Sequence, residues 1–376
     1  MGQLVLKYST NKKIALTIAK IIMLLQIDFA LIIEKLVLIV IVVMSSLVIA
    51  MYTTFGERKV AAIMQDRRGP NRAGPFGLLQ PLADGLKLFF KEEIIPNLSS
   101  KFLFILGPCL AMLTAMMTGA VIPWGDKVHF FDRDISLQIA DVNIGILYVF
   151  GVVSMGVYGI MIGSWASNNK FSLMGGLRAA SQIISYELAM GIALIALLMV
   201  TGSLSLKTMV GFQMDGYWNI VKQPLGFLIF LICVFAECNR TPFDLPEAEN
   251  ELIGGYHTEY SSMKLGFYLF AEYINMFISS SVMVSLFFGG YDIPFVNDAH
   301  LTQSIGVNWV ALIHTFSFLA KVFFFLFLFM WVRWTIPRFR YDQLMNLGWK
   351  ILIPLALFNM LVTGALILLQ QNNWHF

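Results

Sequence analysis

Residues 36–54 read LVLIVIVVMSSLVIAMYTT and include no charged side chain. A helix needs roughly 20 apolar residues to cross a hydrocarbon core of about 30 Å, so this stretch has the length and composition of a transmembrane helix. The whole chain of 376 residues agrees, because 58% of its residues are hydrophobic and its mean hydropathy is +0.73. Since the alternating pattern of a membrane β-barrel is absent, we expect an all-α integral membrane protein.

Similar apolar windows recur along the chain and predict about eight transmembrane helices, of which the fifth is the shortest. The predicted spans are Leu36–Thr54, Phe102–Ile122, Ile144–Trp165, Ala180–Thr201, Leu225–Phe235, Leu265–Phe288, Trp309–Trp331 and Ile351–Leu369. A further apolar stretch, Ile14–Ile33, is interrupted by Lys20 and Asp28, so it is either an extra span or, as we favour, a helix lying in the interface. We expect a single integral membrane domain over residues 1–376, with residues 1–35 as an N-terminal extension.

Lysine and arginine accumulate in alternate loops, which predicts the orientation of the chain. The loops after the first, third, fifth and seventh predicted spans hold most of them: Arg58, Lys59, Arg67, Arg68, Arg72, Lys87, Lys91, Lys170, Arg178, Arg240, Arg333, Arg338 and Arg340. We expect these loops to be cytoplasmic and call them the inner loops. The lysines of the N-terminal tail argue for the opposite orientation. The net charge of +3 is scattered over loops, so nucleic-acid binding has no support.

Side chains that bind metals or redox groups are scarce. Cys109, Cys233 and Cys238 show no CxxC spacing, and His314 is the histidine that falls well inside a predicted span, whereas a membrane haem usually requires two axial ligands. No glycine-rich phosphate loop follows a strand. We therefore expect the chain to bind no metal or redox cofactor itself, and any redox input to come from a partner.

One inner loop is unusually acidic. Residues 235–260 read FAECNRTPFDLPEAENELIGGYHTEY, in which Arg240 is the only Lys or Arg beside Glu237, Asp244, Glu247, Glu249, Glu251 and Glu259. Carboxylates beside a bilayer are costly and usually functional, and their mutual repulsion raises pKa values toward neutrality, as proton exchange requires.

Two interpretations of this loop remain open. If Pro246 begins a helix, then Asp244, Glu247 and Glu251 line one face of it, because they stand at positions i, i+3 and i+7. Alternatively, Asp244 and Glu247 form a helix N-cap and its capping-box acid. Capping would explain two of the acidic residues and leave the others without a structural reason.

Four ionisable residues fall inside or at the ends of predicted spans: Glu187, Glu237, Glu272 and Lys321. The three glutamates lie in the inner halves of their spans, where they could relay protons between the acidic loop and the membrane centre, near Lys321. The alternative is that each is paired with or satisfied by a neighbouring polar group. For His314, helix packing is the simpler explanation.

The first inner loop, Phe55–Pro96, contains an amphipathic segment. Residues Leu78 to Glu92 have a helical pattern, with Leu79, Leu82, Leu86 and Phe89 on one side and Asp84, Lys87 and Lys91 on the other. Such a helix can lie on the membrane surface. Its pattern alone fits simple anchoring and a functional role equally well.

Three segments in this order carry a resemblance that covers nearly the whole chain. They are GERKVAAIMQDRRGPNRAGPFGLLQPLADGLKLFFKEE, ASNNKFSLMGGLRAASQIISYELAMG and FAECNRTPFDLPEAENELIGGYHTEYSSMKLGFYLFAEY. The chain resembles the family formed by the H subunits of bacterial NADH:quinone oxidoreductase (respiratory complex I), whose mitochondrial equivalent is NADH dehydrogenase subunit 1. The N-terminal extension and the amino-acid sequences of these segments are more similar to bacterial members than to animal mitochondrial ones. This similarity implies a bacterial inner membrane rather than a mitochondrial one.

The resemblance implies an eight-helix fold whose inner loops form the floor and mouth of a quinone chamber, with quinone as substrate. It also implies hydrophilic partner subunits that hold flavin and iron–sulfur clusters, and membrane-arm partners that pump protons. The residues implied at the quinone chamber and acidic loop are Asp244, Glu247, Glu249, Glu251, Glu259, Arg240, Glu57, Arg58, Arg68, Arg72 and Asp84. Those implied in the proton relay are Glu187, Glu237 and Glu272, to which the position of Lys321 adds a candidate.

Two other functions are consistent with a multi-span chain that carries buried charges. One is a related subunit of a membrane-bound hydrogenase or formate hydrogenlyase. The other is a stand-alone secondary transporter, for which intramembrane Glu and Lys are equally natural but an inverted repeat is expected and not found. The match of the acidic loop favours the quinone enzyme.

Overall fold

The structure, a computed structural model, describes residues 29–130, 133–294, 302 and 305–371. Residues 14–28 of the predicted stretch Ile14–Ile33 lie outside these ranges, as do the lysines of the N-terminal tail. The chain divides into two compact units, residues 1–41 and 42–376. In the first unit the structure describes residues 29–41, which are helical.

The apolar stretches are helical, and the expected all-α integral membrane fold is confirmed. Within the described ranges, seven helices are long and apolar enough to cross a membrane. The α-helices are α1 (Phe29–Met64), α2 (Gln80–Phe90), α3 (Lys101–Thr118), α4 (Gly145–Ala166), α5 (Lys170–Thr201), α6 (Leu206–Met214), α7 (Asn219–Lys222), α8 (Pro224–Glu237), α9 (Glu249–Leu252), α10 (Ser262–Phe287), α11 (Val307–Thr335), α12 (Tyr341–Asn346) and α13 (Ile353–Gln371). A π-helix, Leu347–Leu352, joins α12 to α13.

Helix α8 corresponds to the short fifth predicted span. It has 14 residues, which at 1.5 Å per residue gives a length of about 21 Å, less than the roughly 30 Å of a hydrocarbon core. Pro224 stands in its first turn, where the missing N–H costs nothing.

Helix α10 is the most enclosed of the long helices. In its most apolar window 72% of the residues are buried, compared with 22% in that of α1. It packs against α3 and α11, while α5 packs against α8 and α13. Helices α3 and α4 approach closely through glycines, because a Cβ on Gly159 would lie 2.8 Å from the backbone nitrogen of Ala111. Small residues allow this contact, as is usual between membrane helices.

A short hairpin joins α3 to α4 on the side predicted to be outer. Strands β1 (Lys127–Phe130) and β2 (Arg133–Ser136) pair antiparallel. Asn308, at the start of α11, accepts a hydrogen bond from the His129 N–H at 2.8 Å and donates one to the His129 carbonyl at 3.0 Å. The hairpin is thereby attached to α11.

The predicted amphipathic segment forms α2, and polar contacts hold both of its ends. Near its start, Arg58 donates to Asp84 at 2.6 Å. Near its end, the Ser262 hydroxyl donates to the Leu88 carbonyl at 3.2 Å, and Lys264 forms an ion pair with Glu93. The leucines and Phe89 of its apolar side remain exposed. Helix α2 is therefore attached to α1 and to the start of α10 while its apolar side stays uncovered by this chain.

Candidate functional site

The acidic loop, defined here as residues 238–261, joins α8 to α10 without a long helix. Its one α-helical piece is the four-residue α9, which begins at Glu249. Ala248 and Ile253 on either side of α9 have positive φ values of 24° and 68°, which interrupt helical geometry. No helix begins at Pro246, so the interpretation in which Asp244, Glu247 and Glu251 line one helical face does not hold. The side chain of Glu249 lies outside the described part of the structure.

Asp244 is buried and paired with an arginine from another inner loop. Its Oδ2 accepts a 2.7 Å hydrogen bond from Nη2 of Arg338, and its Oδ1 has no hydrogen-bond partner among the described residues. This carboxylate therefore does not act as the helix N-cap that the sequence allowed. Burial and the nearby Glu247 raise the pKa of Asp244 to about 6, although Arg338 opposes the rise.

Glu247 faces His257 across the loop, with Oε1 3.7 Å from Nδ1. Burial, followed by the negative charge of Glu272, raises the pKa of Glu247 to about 7, and His257 and Arg240 oppose this. The raised pKa favours the protonated form of this carboxyl group more than is usual for a glutamate.

Two other carboxylates attach the loop to the first half of α5. Glu251 accepts a 2.5 Å hydrogen bond from Arg178, and Glu259 accepts one of 2.6 Å from the Asn169 amide. Asn169 also caps α5, because its Oδ1 accepts from the Phe171 N–H at 2.9 Å. These contacts give Glu251 and Glu259 a clear role in holding the loop.

Arg240 of the loop belongs to a set of buried and half-buried polar side chains that we call the central cluster: Glu57, Arg240, Glu272, Tyr273 and Arg333. Glu57 accepts hydrogen bonds from Arg333 and, at 2.6 Å, from the Tyr273 hydroxyl. Arg240 lies 3.9 Å from Glu57 and 4.0 Å from Glu272, nitrogen to oxygen. Charges taken out of water remain stable only when paired, so the cluster is a mutually dependent unit.

Two cavities lie beside the intramembrane glutamates. Glu272 and Glu237 both line the first, together with Tyr256 and Tyr268. Glu237 also lines the second, beside Thr118 and Ser279. Glu187 accepts a hydrogen bond from Ser154 and interacts electrostatically with Glu237. The structure thus brings these three predicted residues together.

Lys321 lies apart from the glutamates. Its ammonium group donates to the carbonyls of Phe288, Gly290 and Asp292 at 2.8, 3.0 and 2.6 Å, just beyond the end of α10. Phe288 is 16 positions after Glu272, which corresponds to roughly 24 Å along a helix. The ammonium group satisfies the carbonyls that follow this helix end, far along α10 from Glu272.

The remaining predicted residues lie in the first inner loop. Arg58 and Asp84 form the ion pair at α2, where the Arg58 side chain is about half exposed. Arg68 and Arg72 are exposed and make no ion pair with the described residues. These four side chains lie outside the central cluster.

Several site residues were not predicted, notably Arg333, Arg338, Tyr256 and Tyr273. The sequence could have indicated the two arginines. Both belong to a predicted inner loop, whereas the acidic loop has one cation, Arg240, for its several carboxylates. The tyrosines gave none, since nothing in the sequence distinguishes them from core aromatics. Among the described residues, no group of three or more His, Cys, Asp or Glu side chains is arranged to hold a metal ion.

Comparison with known proteins places this geometry in context. The model of the family described as NADH dehydrogenase matches residues 36–364. An H subunit of NADH-quinone oxidoreductase from Cytophaga hutchinsonii is 64% identical over 345 residues, 92% of this chain and 100% of that protein. The H subunit of Flavobacterium johnsoniae is 64% identical over 341 residues, which are 91% of this chain and 97% of that protein. One from Geobacter sulfurreducens is 49% identical over 85% and 91% of the two chains.

Proposed function

Because this chain belongs to the NADH dehydrogenase family, as an H subunit of the NADH-quinone oxidoreductase translocase, we propose that it forms much of the quinone chamber and links quinone reduction to proton translocation. It works with the other subunits of that complex. We propose that peripheral-arm subunits with flavin and iron–sulfur clusters cover the chamber, and that pumping subunits adjoin the relay. The bacterial relatives support a location in a bacterial inner membrane.

The acidic loop, the first inner loop and the central cluster would border the path of the quinone head group. The residues proposed there are Asp244, Glu247, Glu249, Glu251, Glu259, Arg240, Glu57, Arg58, Arg68, Arg72 and Asp84. Helix α2 supports a lateral entry, since its apolar side chains are exposed beside these charges and suit contact with a long apolar tail. Electrons arrive from the clusters of a partner protein.

Reduction of a quinone to a quinol takes two electrons and two protons, so it changes the charge and the proton demand of the chamber. Asp244 and Glu247 are suited to respond, because their raised pKa values lie near neutrality. Their protonation would shift the balance of charge around Arg240 and Glu272. The proton relay then runs through Glu272, Glu237 and Glu187. The cavity that Glu272 and Glu237 share offers room for water between those two, and Glu187 interacts electrostatically with Glu237.

One observation carries this proposal. Arg240, from the acidic loop, lies within 4.0 Å of Glu272, and Glu272 shares a cavity with Glu237. A charge change in the loop therefore has a short electrostatic route to the buried glutamates. Long-range coupling requires a contiguous set of groups with two arrangements, and this set begins at the loop and ends at α5.

The chamber role can be tested with Asp244→Asn combined with Glu247→Gln in membranes that contain the assembled complex. We expect NADH oxidation with quinone to fall at least tenfold while oxidation with a hydrophilic acceptor is retained, because that acceptor needs only the peripheral arm. Arg340→Gln, at an exposed inner-loop arginine, is the matched control and should keep both rates. Retention of both rates in the double variant would contradict the role of these acids, and loss of both would indicate failed assembly.

The relay can be tested separately with Glu187→Gln and Glu237→Gln. We expect fewer protons translocated per NADH oxidised, measured in sealed vesicles, since a neutral amide cannot carry a proton through the site. Asp215→Asn, an exposed carboxylate of an outer loop, serves as the control. An unchanged proton ratio in both glutamate variants would remove them from the relay.

A further inference from the structure

Arg240 is shared between two carboxylates and is hydrogen-bonded to neither. Its Nη1 is 3.9 Å from Oε2 of Glu57, and its Nη2 is 4.0 Å from Oε2 of Glu272, both beyond hydrogen-bond length. Its Nε and Nη2 have no hydrogen-bond partner among the described residues. The guanidinium instead lies over the ring of Tyr273, 4.2 Å from the centroid. A small movement of either carboxylate would add a direct hydrogen bond to the ion pair.

Each of the two carboxylates is held by a tyrosine hydroxyl. Tyr273, on α10, donates to Glu57 at 2.6 Å, and Tyr256, in the acidic loop, donates to Oε1 of Glu272 at 2.8 Å. Burial and the charge of Glu272 raise the pKa of Tyr256 well above its usual value, so its hydroxyl stays protonated and remains a donor. Tyr256 is thus the direct hydrogen-bonded link from the acidic loop to a carboxylate of α10.

The position of Tyr256 depends on the fold of the loop around it. The Ser172 hydroxyl of α5 donates to its carbonyl at 2.8 Å, and its ring packs edge-on against Tyr268 at 5.1 Å between centroids. The preceding Gly255 has φ +60°, and a Cβ there would lie 1.7 Å from the Pro246 carbonyl oxygen. The backbone beside Tyr256 is therefore packed against Pro246, in the part of the acidic loop that carries Asp244 and Glu247. A displacement of that part of the loop would also move the Tyr256 hydroxyl.

We propose that Tyr256 is a positioning residue whose hydroxyl holds Glu272 away from Arg240 and toward the cavity shared with Glu237. This inference rests on the proposed coupling function and specifies how the loop acts on the relay. When the loop moves and withdraws the hydroxyl, Glu272 loses its donor and closes on Arg240. Closing the pair requires Oε2 to move by roughly 1 Å, the difference between the present distance and a charge-assisted hydrogen bond. Glu272 is then neutralised by Arg240 and disconnected from Glu237.

The test is Tyr256→Phe in the assembled complex, which removes the hydroxyl and keeps the ring. Tyr260→Phe is a matched control, because this buried tyrosine of the same loop donates to the backbone carbonyls of Phe104 and Gly163 and to no carboxylate. Loss of a hydrogen bond to a charged group changes an equilibrium constant by roughly tenfold or more. We expect quinone-dependent turnover in Tyr256→Phe to fall about tenfold at unchanged KM for quinone, with fewer protons per NADH. Tyr260→Phe should keep the proton ratio.

A double variant separates positioning from general structural loss. Combined with Glu272→Gln, Tyr256→Phe should cause no further fall in proton ratio, since the two residues act as one unit. Additive effects, or equal losses in Tyr256→Phe and Tyr260→Phe, would overturn the inference. If Tyr256→Phe does not assemble, 3-fluorotyrosine at position 256 provides a stronger donor of similar shape, and unchanged turnover with it would also overturn the inference.

The outcomes also distinguish this inference from the function on which it rests. If Glu272→Gln alone leaves the proton ratio intact, the relay itself is wrong. If Glu272→Gln lowers the ratio while Tyr256→Phe leaves turnover and ratio intact, the relay stands and only the positioning role of Tyr256 is lost.

Discussion

Arg338 donates a 2.7 Å hydrogen bond to Asp244, although 94 positions separate them in the chain. The arginine follows the end of α11 and the aspartate lies in the acidic loop, so the contact joins two inner loops. The pKa of Asp244 is raised to about 6 by burial and by Glu247, and Arg338 limits that rise. Protonation of the loop therefore depends on a residue outside it.

Replacement of this arginine should shift the pH dependence of quinone reduction. In Arg338→Gln, Asp244 loses a favourable positive charge, so its pKa rises further and it is more often protonated near neutral pH. We expect the quinone-dependent rate at a pH of about 6.5 to fall by roughly threefold or more and to recover toward a pH of about 8. The rate with a hydrophilic acceptor is the internal reference. An equal loss at every pH would contradict a role through Asp244.

Glu247 should make the stability of the acidic loop depend on pH. Its folded-state pKa of about 7 lies above the unfolded value of 4.5, so the folded loop binds the extra proton between these values. Stability is therefore highest at low pH and falls as pH rises from about 4.5 through about 7, by an amount on the order of 1–3 kcal/mol. Hydrogen exchange of residues 245–260, corrected for intrinsic rates, should show this fall in the wild type and little of it in Glu247→Gln. Exchange in α13 provides the reference, and identical profiles in the two proteins would count against this carboxyl group.

Gly255 should be intolerant of any side chain. It has φ +60°, and a Cβ would meet the Pro246 carbonyl at 1.7 Å, so Gly255→Ala requires the loop backbone to move. We expect at least a tenfold loss of quinone-dependent activity. Gly254→Ala is the control, because φ is −157° there and the nearest atom to a Cβ is 3.4 Å away. Similar activity in the two variants would show that this close contact is unimportant.

The ion pair between Lys264 and Glu93 should set the position of α2. The lysine is mostly buried and the glutamate about half exposed, so the pair contributes on the order of 1 kcal/mol. If α2 borders the quinone path, Lys264→Met should raise the KM for quinone by roughly fivefold. Charge reversal, Lys264→Glu with Glu93→Lys, should restore it. Lys91→Met, at an exposed lysine beside α2, is the control, and a KM unchanged in Lys264→Met would refute the idea.

Lys321 should matter for assembly and not for the proton ratio. Its three bonds satisfy carbonyls beyond the end of α10, so Lys321→Met leaves buried acceptors without a donor, at a cost of at least about 2 kcal/mol. We expect less assembled complex on native gels, with normal proton translocation per NADH in the fraction that assembles. Lys350→Met, at an exposed lysine, is the control. A lowered ratio in assembled Lys321→Met complex would return Lys321 to the relay.

The sequence alone determined the all-helical membrane fold, the order of its helices and the segment where the carboxylates gather. These features depend on local composition: an apolar window such as residues 36–54 can satisfy its backbone in lipid only as a helix, whatever packs beside it. The amphipathic helix α2 was predictable for the same reason, since its period of apolar residues lies within one short segment. Glu187, Glu237 and Glu272 could be selected because a carboxylate in a hydrocarbon environment is rare and costly.

Tertiary structure alone decided which charges meet. The sequence shows that Asp244 and Glu57 need cations, but Arg338 and Arg333 reach them only because the end of α11 packs beside α1 and the acidic loop. The tertiary structure also explains why the acidic loop is not one helix. Asp244, Glu247 and Glu251 pair with three different partners, which do not lie along one helical face. The partners of Lys321 could not be read from its depth in a span, because depth does not specify which neighbour a long side chain contacts. Partners far apart in sequence depend on how helices pack, and that geometry is a property of the whole chain.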